Sequence, residues 1–200
     1  MTSVNHFSIQ RLKLRVNEAK SAVDKPQQRT FLGFTFTGGK NPTRRKIAPK
    51  ALARFKVKVR ELTRRTWGIS LEERLQRLSR FLNGWREYYS YCETPAVLQD
   101  LDSWIRRRLR CVQWKQWKVY KRRKAELIRR GVAEALATPT AWSAKGPWRM
   151  CHTPGVQIAL PTGYFDALGL PRLIARPNRY LDRTAVVRTR MPGGVGGGKS

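Results

Sequence analysis

SLEERLQRLSRFLNGWREYY, residues 70–89, decides the fold class. Leu71, Leu75, Leu78, Leu82, Trp85 and Tyr89 recur at alternating steps of four and three, which gathers them on one side of an α-helix. Ser70 precedes the first of them and Glu73 follows three residues on, the signature of a capping box. A helix with one apolar face needs partners, and both flanks supply them. Upstream, from about residue 49, Leu52, Phe55, Val59 and Leu62 form a second stripe, with Arg54, Lys58, Arg64 and Arg65 lying away from it. Trp67-Gly68 ends that pattern. Downstream, Thr94-Pro95 opens a third helix, a cap followed by a first-turn proline. Its seam is Leu98, Leu101, Ile105, Leu109 and Val112, and it is expected to run to about Arg130, before Gly131. The three seams predict a basic three-helix bundle.

Outward from the bundle the signals weaken. Leu12-Lys13-Leu14-Arg15-Val16 alternates apolar and cationic residues, and Phe31-Leu32-Gly33-Phe34-Thr35-Phe36 is rich in strand formers, so the two are expected to pair as strands. After Gly131 the composition shifts to Ala, Pro, Gly and Trp, with short helices expected around 132–137 and 156–168. Residues 176–200 lose apolar periodicity and read as a disordered, basic, Gly-rich tail. The expected class is mainly α: a hairpin-bearing region over 1–40, the bundle over 41–131, an extension over 132–175 and the tail.

Composition narrows the function. In 200 residues, Lys+Arg number 42 against 13 Asp+Glu, a formal net charge of +29. Two thirds of the cations are Arg, whose planar fork suits phosphate. Such an excess opposes a compact state unless a polyanion neutralises it. A hydrophobic fraction of 40% and seven Trp exclude a merely disordered basic tail. Three cysteines with no paired spacing argue against a disulfide framework, and two His with no CxxC argue against a structural zinc site. No apolar run approaches the roughly 18–20 residues that span a bilayer, and MTSVNHFSIQ lacks the core of a secretory signal. A cytoplasmic setting is expected.

The basic residues cluster. Residues 44–65 hold ten cations and one acid, and residues 104–130 hold twelve and one. Arg107, Arg110, Trp114, Trp117, Lys121 and Lys124 recur at helical spacing opposite the apolar seam. Cations interleaved with aromatics suit phosphate contact plus base stacking, although the two indoles could instead pack against a neighbouring domain. The candidate RNA contacts are these six with Arg44, Arg45, Lys46, Arg54, Lys58, Arg64, Arg65, Arg86 and Lys118. Other constellations read as structural. Asp100 and Asp102 sit early in a helix, where acids favour the macrodipole. Adjacent Cys151-His152 has no orienting acid. Gly193 to Ser200 spells a P-loop but lacks the following helix. No catalytic residue, metal ligand or cofactor site is expected.

RLKLRVNEAKS (11–21), FLGF (31–34) and LNGWREYY (82–89), in this order, resemble the C-terminal half of group II intron reverse transcriptase/maturases. WIRRRLR (104–110) followed by WKQWK (114–118) is similar to the maturase-specific, or thumb (X), domain of that family, and KGPWR (145–149) and YFDALGL (164–170) resemble bacterial members. The resemblance implies that the first two motifs close a polymerase palm, with FLGF near the primer grip, and that the helices form the thumb. The family's polymerase site uses a Tyr-x-Asp-Asp turn lying N-terminal to these motifs, and this sequence holds no adjacent Asp-Asp. Residues 1–10 lie outside the resemblance and read as a new start on a truncated frame. The expectation is a non-enzymatic maturase fragment that binds structured intron RNA and assists splicing, with DNA at an insertion site as a further partner. Two alternatives stand beside it: the thumb of a split RNA-directed DNA polymerase, with palm and fingers on a separate chain, and a non-functional remnant with generic nucleic-acid binding.

Overall fold

The computed structural model describes residues 25–38 and 44–174, with a few positions between 6 and 13. A hairpin comes first, β1 (Phe34–Phe36) against β2 (Arg45–Ile47), antiparallel with Thr35 opposite Lys46. Three long helices follow: α1 (Pro49–Leu62), α2 (Leu71–Tyr88) and α3 (Pro95–Gln116). After them come α4 (Tyr120–Arg129), α5 (Glu134–Trp142) and three short helices, α6 (Pro147–Met150), α7 (Pro154–Ala159) and α8 (Thr162–Ala167). Mainly helical, with a hairpin ahead of a bundle, is the class the sequence predicts.

The seams pack as read. Phe55, Val59 and Leu62 of α1, Leu71, Leu75, Leu78 and Leu82 of α2, and Leu101, Ile105 and Leu109 of α3 are buried in one cluster. Ser70 caps α2 by accepting the Glu73 N–H at 3.1 Å, while the Glu73 carboxylate turns forward to Arg77 at 2.6 Å. The turn between α1 and α2 closes on Arg74, a wholly buried guanidinium absent from the sequence reading. Its two terminal nitrogens donate to the Leu62 and Trp67 carbonyls, both at 3.0 Å, and its plane lies 5.4 Å from the Trp67 ring. It thus satisfies a carbonyl at the C-terminus of α1 that the helix leaves without an internal partner.

Three expectations need correction. β1 pairs with residues 45–47, across the expected boundary at 40/41, so the hairpin straddles the first two regions. The strand expected at 12–16 lies outside the described residues, as does the tail over 176–200. The third helix does not continue to Arg130. It stops at Gln116, and α4 starts at Tyr120 after an extended Val119. In one continuous helix Trp114 and Arg123 would lie about 13 Å apart along the axis, on opposite faces. Here the Arg123 guanidinium sits 4.8 Å over the Trp114 ring and Arg130 5.5 Å over Trp117, because the chain doubles back to bury both indoles.

Finally, 132–174 is no appendage. Ala137, Ala141, Met150, Val156, Phe165 and Leu173 belong to the same core cluster as the bundle seams. Asp102 of α3 accepts the Leu173 N–H with both carboxylate oxygens, at 3.1 and 3.0 Å. Arg106, one turn on, pairs with Asp102 at 3.2 Å and with Asp166 of α8 at 2.6 Å. A buried ion network therefore fastens the C-terminal segment to the middle of α3. The Asp100/Asp102 pair is accordingly structural at Asp102.

Candidate nucleic-acid interface

The α3 seam points Leu101, Ile105 and Leu109 inward, and that geometry spreads the four arginines of WIRRRLR around the remaining circumference. Arg106 is consumed by the buried network. Of the other three, Arg108 and Arg110 lean on backbone carbonyls and Arg107 on an aromatic ring. Arg108 donates through Nε to the Thr63 hydroxyl at 2.6 Å and lies 5.4 Å over the Trp104 ring, which Arg60 approaches as well at 5.7 Å. Burial, with Arg60 and Arg65 beside it, holds the Arg108 guanidinium below its ordinary pKa. Arg110 donates through Nε to the Leu160 carbonyl at 2.8 Å, and burial likewise pulls its pKa down, reinforced by Arg106 and Arg107. Arg107 lies 5.1 Å over the ring of Trp148, whose indole is 44% exposed.

A cleft of about 790 Å³ opens between α3 and the α6–α8 segment. Arg107, Arg110 and Arg172 line it with Ser103, Gln157 and His152. The acids nearest this cleft, Asp102 and Asp166, already hold Arg106 and Arg172. His152 is held below its usual pKa by burial and then by Arg107 and Arg110, so the cleft takes its positive potential from guanidinium groups. Arginines crowded against one another, with the local acids engaged, make a surface whose repulsion a phosphate relieves.

The cations singled out from sequence divide into five groups. Arg107 and Arg110 stand in this cleft, with Arg65 near Arg108. Arg54 lines a second groove of about 760 Å³, with Arg80, Trp85 and Tyr89. Arg44, Arg64, Lys118 and Lys121 are exposed. Others are engaged: Arg45 with Glu93 at 2.9 Å, Lys58 with Glu61 at 3.1 Å, Lys124 with Glu134 at 2.6 Å, and Arg86 with Glu87 at 3.6 Å. Lys46 is half-buried in β2.

Trp114 and Trp117 are the clear correction: each is 1% exposed, and neither presents a face to a base. They pack on each other, centroids 6.0 Å apart, inside the core. Sequence reasoning also missed Arg60, Arg108 and Arg172, whose roles depend on tertiary neighbours, and the exposed Trp142 and Trp148. For Trp148 a signal existed in KGPWR, an indole between cations beside a Gly-Pro turn. Cys151 is buried, with its thiol donating to the Trp148 carbonyl at 2.8 Å.

Among the described residues no helix is long and apolar enough to cross a membrane, and none of their His, Cys, Asp and Glu side chains gathers in threes as a metal ion requires. Compared with curated proteins, the chain has no match. The family model of the group II intron, maturase-specific domain matches residues 52–131, from the first turn of α1 to the end of α4. That segment contains the three seams, the Arg74 closure and the arginines of α3, so over these residues the chain is similar to the group II intron maturase-specific domain.

Proposed function

We propose that the chain is a maturase-type protein that binds structured group II intron RNA in the cytoplasm and assists its splicing, the RNA itself carrying out the chemistry. The observation that carries this reading is a pair of arginine clusters flanking α3, Arg107 and Arg110 with Arg172 in the cleft and Arg108 with Arg60 and Arg65 beside Thr63, where the acids nearest the cleft are already paired. Rigid, partly desolvated guanidinium groups favour phosphates held in a fixed arrangement, as in folded RNA, over a diffuse polyanion. Neutralising phosphates there stabilises the compact RNA without any group of the protein touching the reacting bond.

Phe31 to Phe36 is read as the last edge of a reverse-transcriptase palm, seated on the thumb. The seat supports this: Gly33 has φ +77, and a Cβ there would meet the Tyr89 hydroxyl at 2.5 Å, while the Tyr88 hydroxyl donates to the Leu32 carbonyl at 2.9 Å. Beside it lies an apolar groove of about 400 Å³ lined by Phe31, Leu32, Phe36, Tyr88 and Tyr91. This groove favours the second reading, a split polymerase whose palm and fingers are a separate chain.

A salt-matched competition tests the first reading. Labelled group II intron RNA bound by the chain should resist unlabelled structured RNA of other origin, and DNA, by at least tenfold in competitor concentration. Equal competition by unlabelled intron RNA, other structured RNA and DNA reduces the protein to a generic polycation. Primer extension that appears only when a palm-and-fingers chain is added supports the second reading.

A further inference from the structure

Tyr120 opens α4 and Trp142 closes α5, and their rings lie 4.6 Å apart at 41°. Tyr120 rests on the core, whereas Trp142 leaves 74% of its surface to solvent. The pair is held by its helices, which pack on each other and are tied by the Lys124–Glu134 ion pair across a Gly131 turn at φ +84. An indole backed by a fixed ring and open outward is pre-organised to stack, with few side-chain rotations left to freeze.

The charge around it names the ligand. Residues 115–145 contain two acids, Glu126 and Glu134, and both are neutralised, by Arg129 with Arg130 and by Lys124. Lys118, Lys121, Arg122 and Lys145 are exposed on the same segments. An apolar protein partner would gain nothing from that rim, whereas a polyanion with free aromatic faces suits both parts. A duplex hides the faces of its bases, so the polyanion is single-stranded.

We propose that Tyr120 and Trp142 form a stacking platform for an unpaired RNA base. The site is separate from the arginine clusters flanking α3. It rests on the RNA-binding reading above and adds to it a loop, bulge or strand end as the part of the RNA gripped.

The test uses the full chain, with Trp142→Ala and Trp142→Phe, a short oligoadenylate and a blunt RNA duplex of equal phosphate number, titrated over a range of salt. Trp142→Ala should weaken oligoadenylate binding about tenfold, or about 1.4 kcal/mol, and duplex binding less than twofold. The slope of log affinity against log salt should not change, because no cation is removed. Trp142→Phe should recover most of the loss, and the exposed position should leave the melting temperature unaltered. Equal oligoadenylate affinity in the unaltered chain and the alanine variant overturns the platform. So does an equal loss on duplex, or no oligoadenylate binding by the unaltered chain. If the tenfold loss appears while intron RNA shows no advantage in the competition above, the platform stands and the maturase reading falls.

Discussion

Two tryptophan pairs divide the labour of this chain. Trp114 and Trp117 sit among cations in sequence, yet they are buried, and the chain breaks a helix to bury them. Trp142 sits in Ala-rich sequence and Trp148 in KGPWR, yet both are exposed and meet a tyrosine and an arginine. A cation-rich neighbourhood therefore does not mark a tryptophan as a ligand contact. Arg123 and Arg130 act as lids on the inner pair, their guanidinium groups lying 4.8 Å over the Trp114 ring and 5.5 Å over the Trp117 ring. What decides the role is whether an indole has a second element to lie under.

The sharpest way to break this contrast is to truncate the inner pair. Trp114→Ala should cost about 3–5 kcal/mol of stability, as large core deletions do, visible as a lowered denaturant midpoint, and a wild-type midpoint would remove Trp114 from the core. Arg74→Leu comes next. It strands the Leu62 and Trp67 carbonyls and should cost on the order of 2–4 kcal/mol, whereas Arg77→Leu, on the exposed side of the same helix, should stay within about 0.5 kcal/mol.

On the outer pair the effect should move from stability to affinity. Arg107→Gln with Trp148→Ala should lower intron RNA affinity about tenfold, near 1.4 kcal/mol, and flatten the salt slope by roughly 0.7–0.9 for the one lost cation. Lys121→Gln with Lys124→Gln should cost less affinity, since Lys124 is already paired with Glu134. If the lysine pair loses as much as the arginine variant, bulk charge governs binding.

The smallest effect is that of acid on the C-terminal fastening. Burial alone would raise the Asp166 pKa, but hydrogen bonds from Arg172 and Arg106 prevail and hold it below the usual carboxylate range. A depressed folded pKa gives stability that is present above the unfolded value of about 3.9 and is lost as pH falls through the folded one. Hydrogen exchange over 162–173 should therefore rise below about pH 4, and Asp166→Asn should make it faster at neutral pH and nearly insensitive to acid.

Local periodicity made α1 and α2 legible, because six apolar positions at steps of three and four admit one helix face and Ser70 fixes its start. The break at 117–119 was not legible. Gln113 to Lys124 contains neither Gly nor Pro, and its residues propagate a helix well enough. The stop comes from outside the segment, from the burial available to two indoles once the chain turns. The partner of β1 at 45–47 was not legible for a related reason: the segment is short and cationic, and the docking of Ile47 and Ala48 beside Tyr89 is what sets it in place. On the candidate interface, Arg107 and Arg110 were legible as a helical stripe. Arg60, Arg108 and Arg172 joined them through tertiary folding.

Leu173 is gripped by Asp102, seventy-one positions earlier, and this sets a clock on synthesis. At roughly 5–20 residues per second, the stretch from Gly131 to Leu173 takes about two to eight seconds to emerge. For that interval the helices of the maturase-specific domain are already present, but Met150, Val156 and Phe165 are not there to cover them. The nascent chain then exposes its cations and its uncovered apolar seam together. A stop codon shortly after Gly131 would make that state permanent, and a gene encoding only the family-matched stretch would express a protein that sticks to RNA and to itself.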